Sequence, residues 1–115
     1  MTIIATPIRS AGTALRLIRQ LGELFGPGAQ PGQCQEREWA SATFSGARHS
    51  IEYRLPLPGP DAAPPAVLMT LAEHEFALPG DIVADCTVAI RPRLSDDGGR
   101  IWLPVLVEIL TVTAD

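Results

Sequence analysis

Two histidines, a tyrosine and two strand-borne carboxylates are the residues of this chain whose types and settings could do chemistry. His49 titrates near neutral pH in its ordinary state and could serve as a general base. It shares one face of the alternating run Arg48 to Leu55 with Ile51, Tyr53 and Leu55. His49 and Tyr53 are therefore candidate polar contacts for a ligand held on an apolar floor. The local sequence fixes no nucleophile or orienting carboxylate beside His49, and a histidine at the end of an apolar strand face is more often a packed residue with one satisfied nitrogen.

Asp85 and Glu108 each interrupt an otherwise apolar or neutral strand face. If their strands pair as a hairpin, both project from the same side, where mutual repulsion could separate their pKa values for acid-base work. Arg48, Arg54 or Arg91 could instead neutralise them across the sheet. The ion-pair or interface role is the expected one, because charges set in an apolar face also fix register and partner choice.

The remaining candidates have plainer explanations. In Glu73-His74-Glu75 adjacent side chains do not face one another on a helix or a strand, so at most one carboxylate could share a site with His74. No metal is expected there. Asp96-Asp97-Gly98-Gly99 lacks the alternating ligands and distant glutamate of a calcium loop and reads as a hairpin turn. Cys34 and Cys86 are spaced like neither a zinc site nor a redox motif, and are expected to be free thiols. No phosphate-binding glycine loop, nucleophile elbow or dinucleotide fingerprint is present, so no cofactor is expected.

The elements that must position these residues centre on the run Ile101 to Thr113, the longest nearly uninterrupted aliphatic and β-branched segment. As a strand it places Ile101, Leu103, Val105, Val107 and Ile109 on one face, and Trp102, Leu106, Leu110 and Val112 on the other. A sheet that buries one side shows a polar second side; here only Pro104 and Glu108 break the second stripe. Some layer must cover each face. The protein's own helices are expected on one and a second copy of the chain on the other, with Trp102, Leu106, Leu110 and Val112 at the centre of a homodimer or larger ring.

Upstream, Thr6-Pro7 is a usable helix start. Ser10 to Phe25 carries Ala14, Leu15, Ile18, Leu21 and Phe25 at helical spacing, widened by Leu17 and Leu24, before Gly26-Pro27-Gly28 stops it. Arg9, Arg16 and Arg19 give this helix a basic side, expected to be a solvated outer face rather than a membrane surface. A loop follows over Pro27 to Gln35. Glu36 to Phe44 and Arg48 to Leu57 then read as a hairpin around Ser45-Gly46-Ala47. Pro56 to Pro65 is a surface linker. Ala66 to Glu75 favours a short helix; the rival is a strand over His74 to Leu78 that turns through Leu78-Pro79-Gly80-Asp81. Ile82 to Arg93 is a strand with Ile82, Ala84, Cys86, Val88 and Ile90 on one face.

The expected fold is a single α+β domain over residues 1–115. Two helix-hairpin (αββ) halves would form a four-stranded antiparallel sheet with both helices on one face, an arrangement related by circular permutation to the ferredoxin-like plan. A cystatin-like helix wrapped by a curved antiparallel sheet is the alternative. Neither comparison says anything about chemistry.

Composition bounds the function. A net charge of -4 offers no basic field for a phosphate backbone, so nucleic acid is not an expected partner. No segment approaches the roughly 18 apolar residues of a membrane span. Met1 to Thr6 carries no positive side chain, and Arg16 and Arg19 interrupt the place of a leader's apolar core, so a cytoplasmic location is expected. The expected function is a non-catalytic interaction or structural module that self-associates. The alternatives are a small-molecule binding domain or enzyme with a pocket between helices and sheet, and an adaptor subunit of a phage-tail or secretion assembly.

Overall fold

The computed structural model describes residues 8–113, with side chains from residue 12 on. The helix start at Thr6-Pro7 and the Arg9 side chain lie outside the described residues. Helix α1 (Ile8–Phe25) precedes strands β1 (Gln30–Ala40) and β2 (Ser45–Leu57). A short helix α2 (Val67–Thr70) runs into a 3₁₀ turn (Leu71–Glu73), and β3 (Asp81–Ile90), β4 (Leu94–Ser95) and β5 (Ile101–Thr113) complete the chain. The strands form one antiparallel sheet in the order β1-β2-β5-β3, with β4 added beside β5 beyond the end of β3.

Strand β5 lies inside the sheet because its inward side chains are the most apolar in the chain. Leu103, Val105, Val107 and Ile109 are buried and share one cluster with Ile51, Tyr53 and Leu55 of β2, Leu17 and Leu21 of α1, and Leu68 and Leu71 from the α2 turn. Both helical segments thus cover the same, inner face. The molecule measures 20 Å in its shortest dimension, the depth of one helical layer on one sheet when packed layers lie about 10 Å apart.

Pro104 is tolerated inside β5 because its carbonyl points to the β3 side, where it accepts from Arg91 N–H at 3.0 Å as β3 ends. The missing N–H falls on that same terminating side and costs no ladder bond further along.

Five local expectations need correction. The first hairpin turns at Ser41 to Phe44, where Ser41 N–H donates to Phe44 O at 2.7 Å and Ser41 Oγ accepts from Phe44 N–H at 3.1 Å. Gly46 lies inside β2, opposite Val112. A β-carbon there would overlap the Thr111 carbonyl, so this glycine permits a close approach of strands rather than a turn. Strand β1 begins at Gln30, not Glu36, and absorbs Pro31 and Gly32 as an edge irregularity between Pro31 and Cys34.

In β3, an irregularity between Val83 and Asp85 moves the inward stripe onto Val83, Cys86 and Val88, leaving Ile82 59 % exposed on the outer face. In α1 the buried line is Leu17 and Leu21, while Leu15, about 200° away from Leu17, is 62 % exposed. The second helix is shorter than Ala66 to Glu75: His74 is already extended. Gly26, at φ 88°, closes α1 by donating to Gly22 O at 3.0 Å. Leu78 to Asp81 closes as a turn, with Gly80 at φ 80° and Asp81 N–H donating to Leu78 O at 3.2 Å.

Candidate functional site

The inner face is filled by aliphatic side chains along most of its length, and turns polar at the end of the sheet that holds the last part of β1, the starts of β2 and β3 and the end of β5. In the β1-β2 register Glu36 stands opposite His49, which stands opposite Ile109 of β5. One step on, Glu38, Ala47 and Thr111 are level. Asp81 opens β3 beside Thr113. These residues, apart from Ile109, line a cavity of about 370 Å³ together with Thr13 of α1 and Trp39 of β1.

His49 is fully buried in its wall. Thr111 Oγ donates its one hydrogen to Ala47 O at 3.2 Å, so it accepts from His49 Nε2 at 3.3 Å. That network assigns the imidazole proton to Nε2. The Nδ1 lone pair then faces the carboxylate of Glu36, 3.7 Å away, with no hydrogen bond of its own. Burial pushes the His49 pKa below its ordinary value, and the Asp81 charge offsets part of the shift.

A neutral imidazole can accept a proton, yet the adjacent hydroxyls are committed elsewhere. Thr111 donates to Ala47 O, and Thr13 Oγ donates to Asp81 Oδ2 at 2.9 Å. Activation of a nucleophile requires the hydroxyl hydrogen to point at the base, and Thr111 points its own away. Among the described residues no three His, Cys, Asp or Glu groups converge to hold a metal ion.

The other sequence candidates do not meet at this cavity. Tyr53 is pinned under α1, donating to Ile18 O at 2.7 Å with its ring edge-on to Phe25 at 5.1 Å. His74 packs edge-on against Phe76 at 4.7 Å. The thiol of Cys86 is buried on the inner face, and burial lifts its pKa to about 11, which keeps it protonated and inert. Both Asp85 and Glu108 lie on the outer face, where Glu108 accepts from Ser50 Oγ at 3.2 Å. Glu36, Glu38, Asp81, Thr13 and Thr111 escaped sequence reasoning, because placing the turn at Ser45-Gly46-Ala47 sets a register in which Glu36 never meets His49.

The outer face carries the second stripe of β5. Leu106, Leu110 and Val112 are each half-buried by their neighbours in the sheet, and the exposed Ile82 and Ala89 of β3 extend the apolar surface. Trp102 has a different setting. It is 3 % exposed, stacked under the Arg54 guanidinium at 4.2 Å and donating through Nε1 to Asp96 Oδ2 at 3.0 Å. Asp96 Oδ1 also accepts from the Gly98 and Arg100 amides, so the loop expected to be a turn is closed by this carboxylate. The hydrogen bond from Trp102, then that from Arg100, holds the Asp96 pKa below the usual value.

No family model, no curated protein and no solved structure matches this chain.

Proposed function

We propose that this protein is a non-catalytic interaction module that self-associates through the outer face of its sheet. The observation that carries this reading is the line Leu106, Leu110 and Val112 on an internal strand, with no second layer over it among the described residues. Apolar stripes on both faces of one strand are expected where both faces are buried. Trp102 is already covered by its own chain, so the contact centres on Leu106, Leu110 and Val112. None of the described helices is long and apolar enough to cross a membrane, and two free cysteines fit a cytoplasmic setting.

Light scattering coupled to size exclusion tests this reading. The wild type is expected to run as a dimer at micromolar concentration and Leu106→Glu as a monomer, while a wild type that is monomeric refutes the reading. A wild-type monomer that binds a different chain through the same face would instead make the protein an adaptor of a larger assembly.

The cavity around His49 favours a second reading, a small-molecule site. Of the contacts expected for it only His49 remains, since Tyr53, Asp85 and Glu108 lie elsewhere. Ligand-induced shifts of the His49 ring resonances are its test.

The fold supports the permuted ferredoxin-like reading. Moving the first strand of a βαββαβ chain to its end yields an αββαββ order, and the strand order β1-β2-β5-β3, with the short β4 as an addition, is compatible with that plan.

A further inference from the structure

We infer that the two copies pack face to face about a two-fold axis running along β5, with Asp85 of each copy paired to the partner's Arg48. The inference rests on the self-association reading and adds its geometry. The sheet register places the outer-face residues of β2, β5 and β3 in level rows with β5 between the other two, and β1 sets Arg37 beside Arg48. The rows are Gly46, Val112 and Ile82; Arg48, Leu110 and Asp85; Ser50, Glu108 and Thr87; and Glu52, Leu106 and Ala89. Neighbouring strands lie about 4.8 Å apart. The β2 and β3 members of each row therefore stand equally far from β5 on either side.

A two-fold axis above β5 and parallel to it exchanges those two columns and leaves the rows level. A C₂ contact must be self-complementary in this way, each surface meeting its own copy. Leu106, Leu110 and Val112 then stack on their counterparts. Asp85 and Arg48, both exposed, find opposite charges. Ile82, 59 % exposed, comes over the partner's Gly46. Thr87 meets the partner's Ser50. A two-fold axis laid across the strands at the Glu108 row also gives Arg48 an opposite charge, the partner's Glu52, but sets Asp85 over Ala89, so only the axis along β5 pairs Asp85. Aligned sheets cross at about 30°, so the level pairing holds best near the crossing point.

Arg48→Glu and Asp85→Arg distinguish these arrangements. With the axis along β5, each variant confronts like charges twice in its own homodimer, so each should weaken self-association by at least about tenfold. An equimolar mixture should restore it as a heterodimer. The carboxylate introduced at position 48 of the first variant then meets the guanidinium introduced at position 85 of the second, while the first variant's native Asp85 meets the second's native Arg48. Native mass spectrometry of the mixture reads this directly, and the recovered heterodimer shows that both variants fold. Asp85→Arg dimerising alone at wild-type strength, or a mixture that yields no heterodimer, overturns the axis while a dimeric wild type leaves the self-association reading standing. A monomeric wild type overturns both.

Discussion

His49 is a buried residue whose ionisation is linked to the fold. Its pKa lies below the ordinary 6.5 because burial penalises the imidazolium. Below pH 6.5 the unfolded chain therefore binds a proton that the folded chain resists. Stability is full above that pH and falls as the pH drops toward the lower native value. Urea midpoints between about pH 7.5 and pH 5 should decline in the wild type. In His49→Gln, which keeps a donor for Thr111 but cannot titrate, the same interval should be flatter. An equal slope in both proteins would assign the decline to other groups.

At the scale of the elements, the contact between β2 and β5 is the most exacting. Gly46 lets β2 approach the Thr111 carbonyl more closely than any β-carbon allows, and the same segment carries Ala47 and His49 into the polar end of the inner face. Gly46→Ala should destabilise the fold by about 2 kcal/mol or more, measured by urea unfolding. It should also disturb the amide resonances of His49 and Thr111 more than those of Leu17 or Leu21 on the distant helix. A neutral result would mean that the strands separate there at little cost. The irregularity in β3 acts in a similar local way: one extra residue between Val83 and Asp85 turns Ile82 outward while Cys86 and Val88 stay in the core.

Across the whole molecule, one helical layer on one sheet leaves a face whose middle strand is aliphatic. If a second copy covers it, folding and association are linked, and the thermal midpoint rises with protein concentration. That dependence should vanish in Leu106→Glu. On the proposed axis Glu108 faces the partner's Glu108, a like-charge contact that Ser50 only partly relieves through its hydrogen bond. Glu108→Gln should therefore tighten the dimer at neutral pH by a few fold or more, seen as a shift of the sedimentation isotherm to lower concentration. Weakened association would place the carboxylate in a favourable contact instead.

Periodicity alone determined much of this protein. The alternation from Arg48 to Leu55, the two-faced run from Ile101 to Thr113 and the glycine-proline stop after Phe25 specify an α+β chain with β5 inside the sheet, because burial acts on side-chain spacing wherever it is regular. Tertiary structure decided what depends on register. A turn at Ser41 to Phe44, rather than around Gly46, brings Glu36 to His49, and local turn chemistry could not choose between them because the glycine answers to the Thr111 backbone, far downstream on β5. The shifted stripe of β3 and the cover that Arg54 lays over Trp102 have the same origin: each depends on a neighbour distant in sequence, on which periodicity within a single segment carries no information.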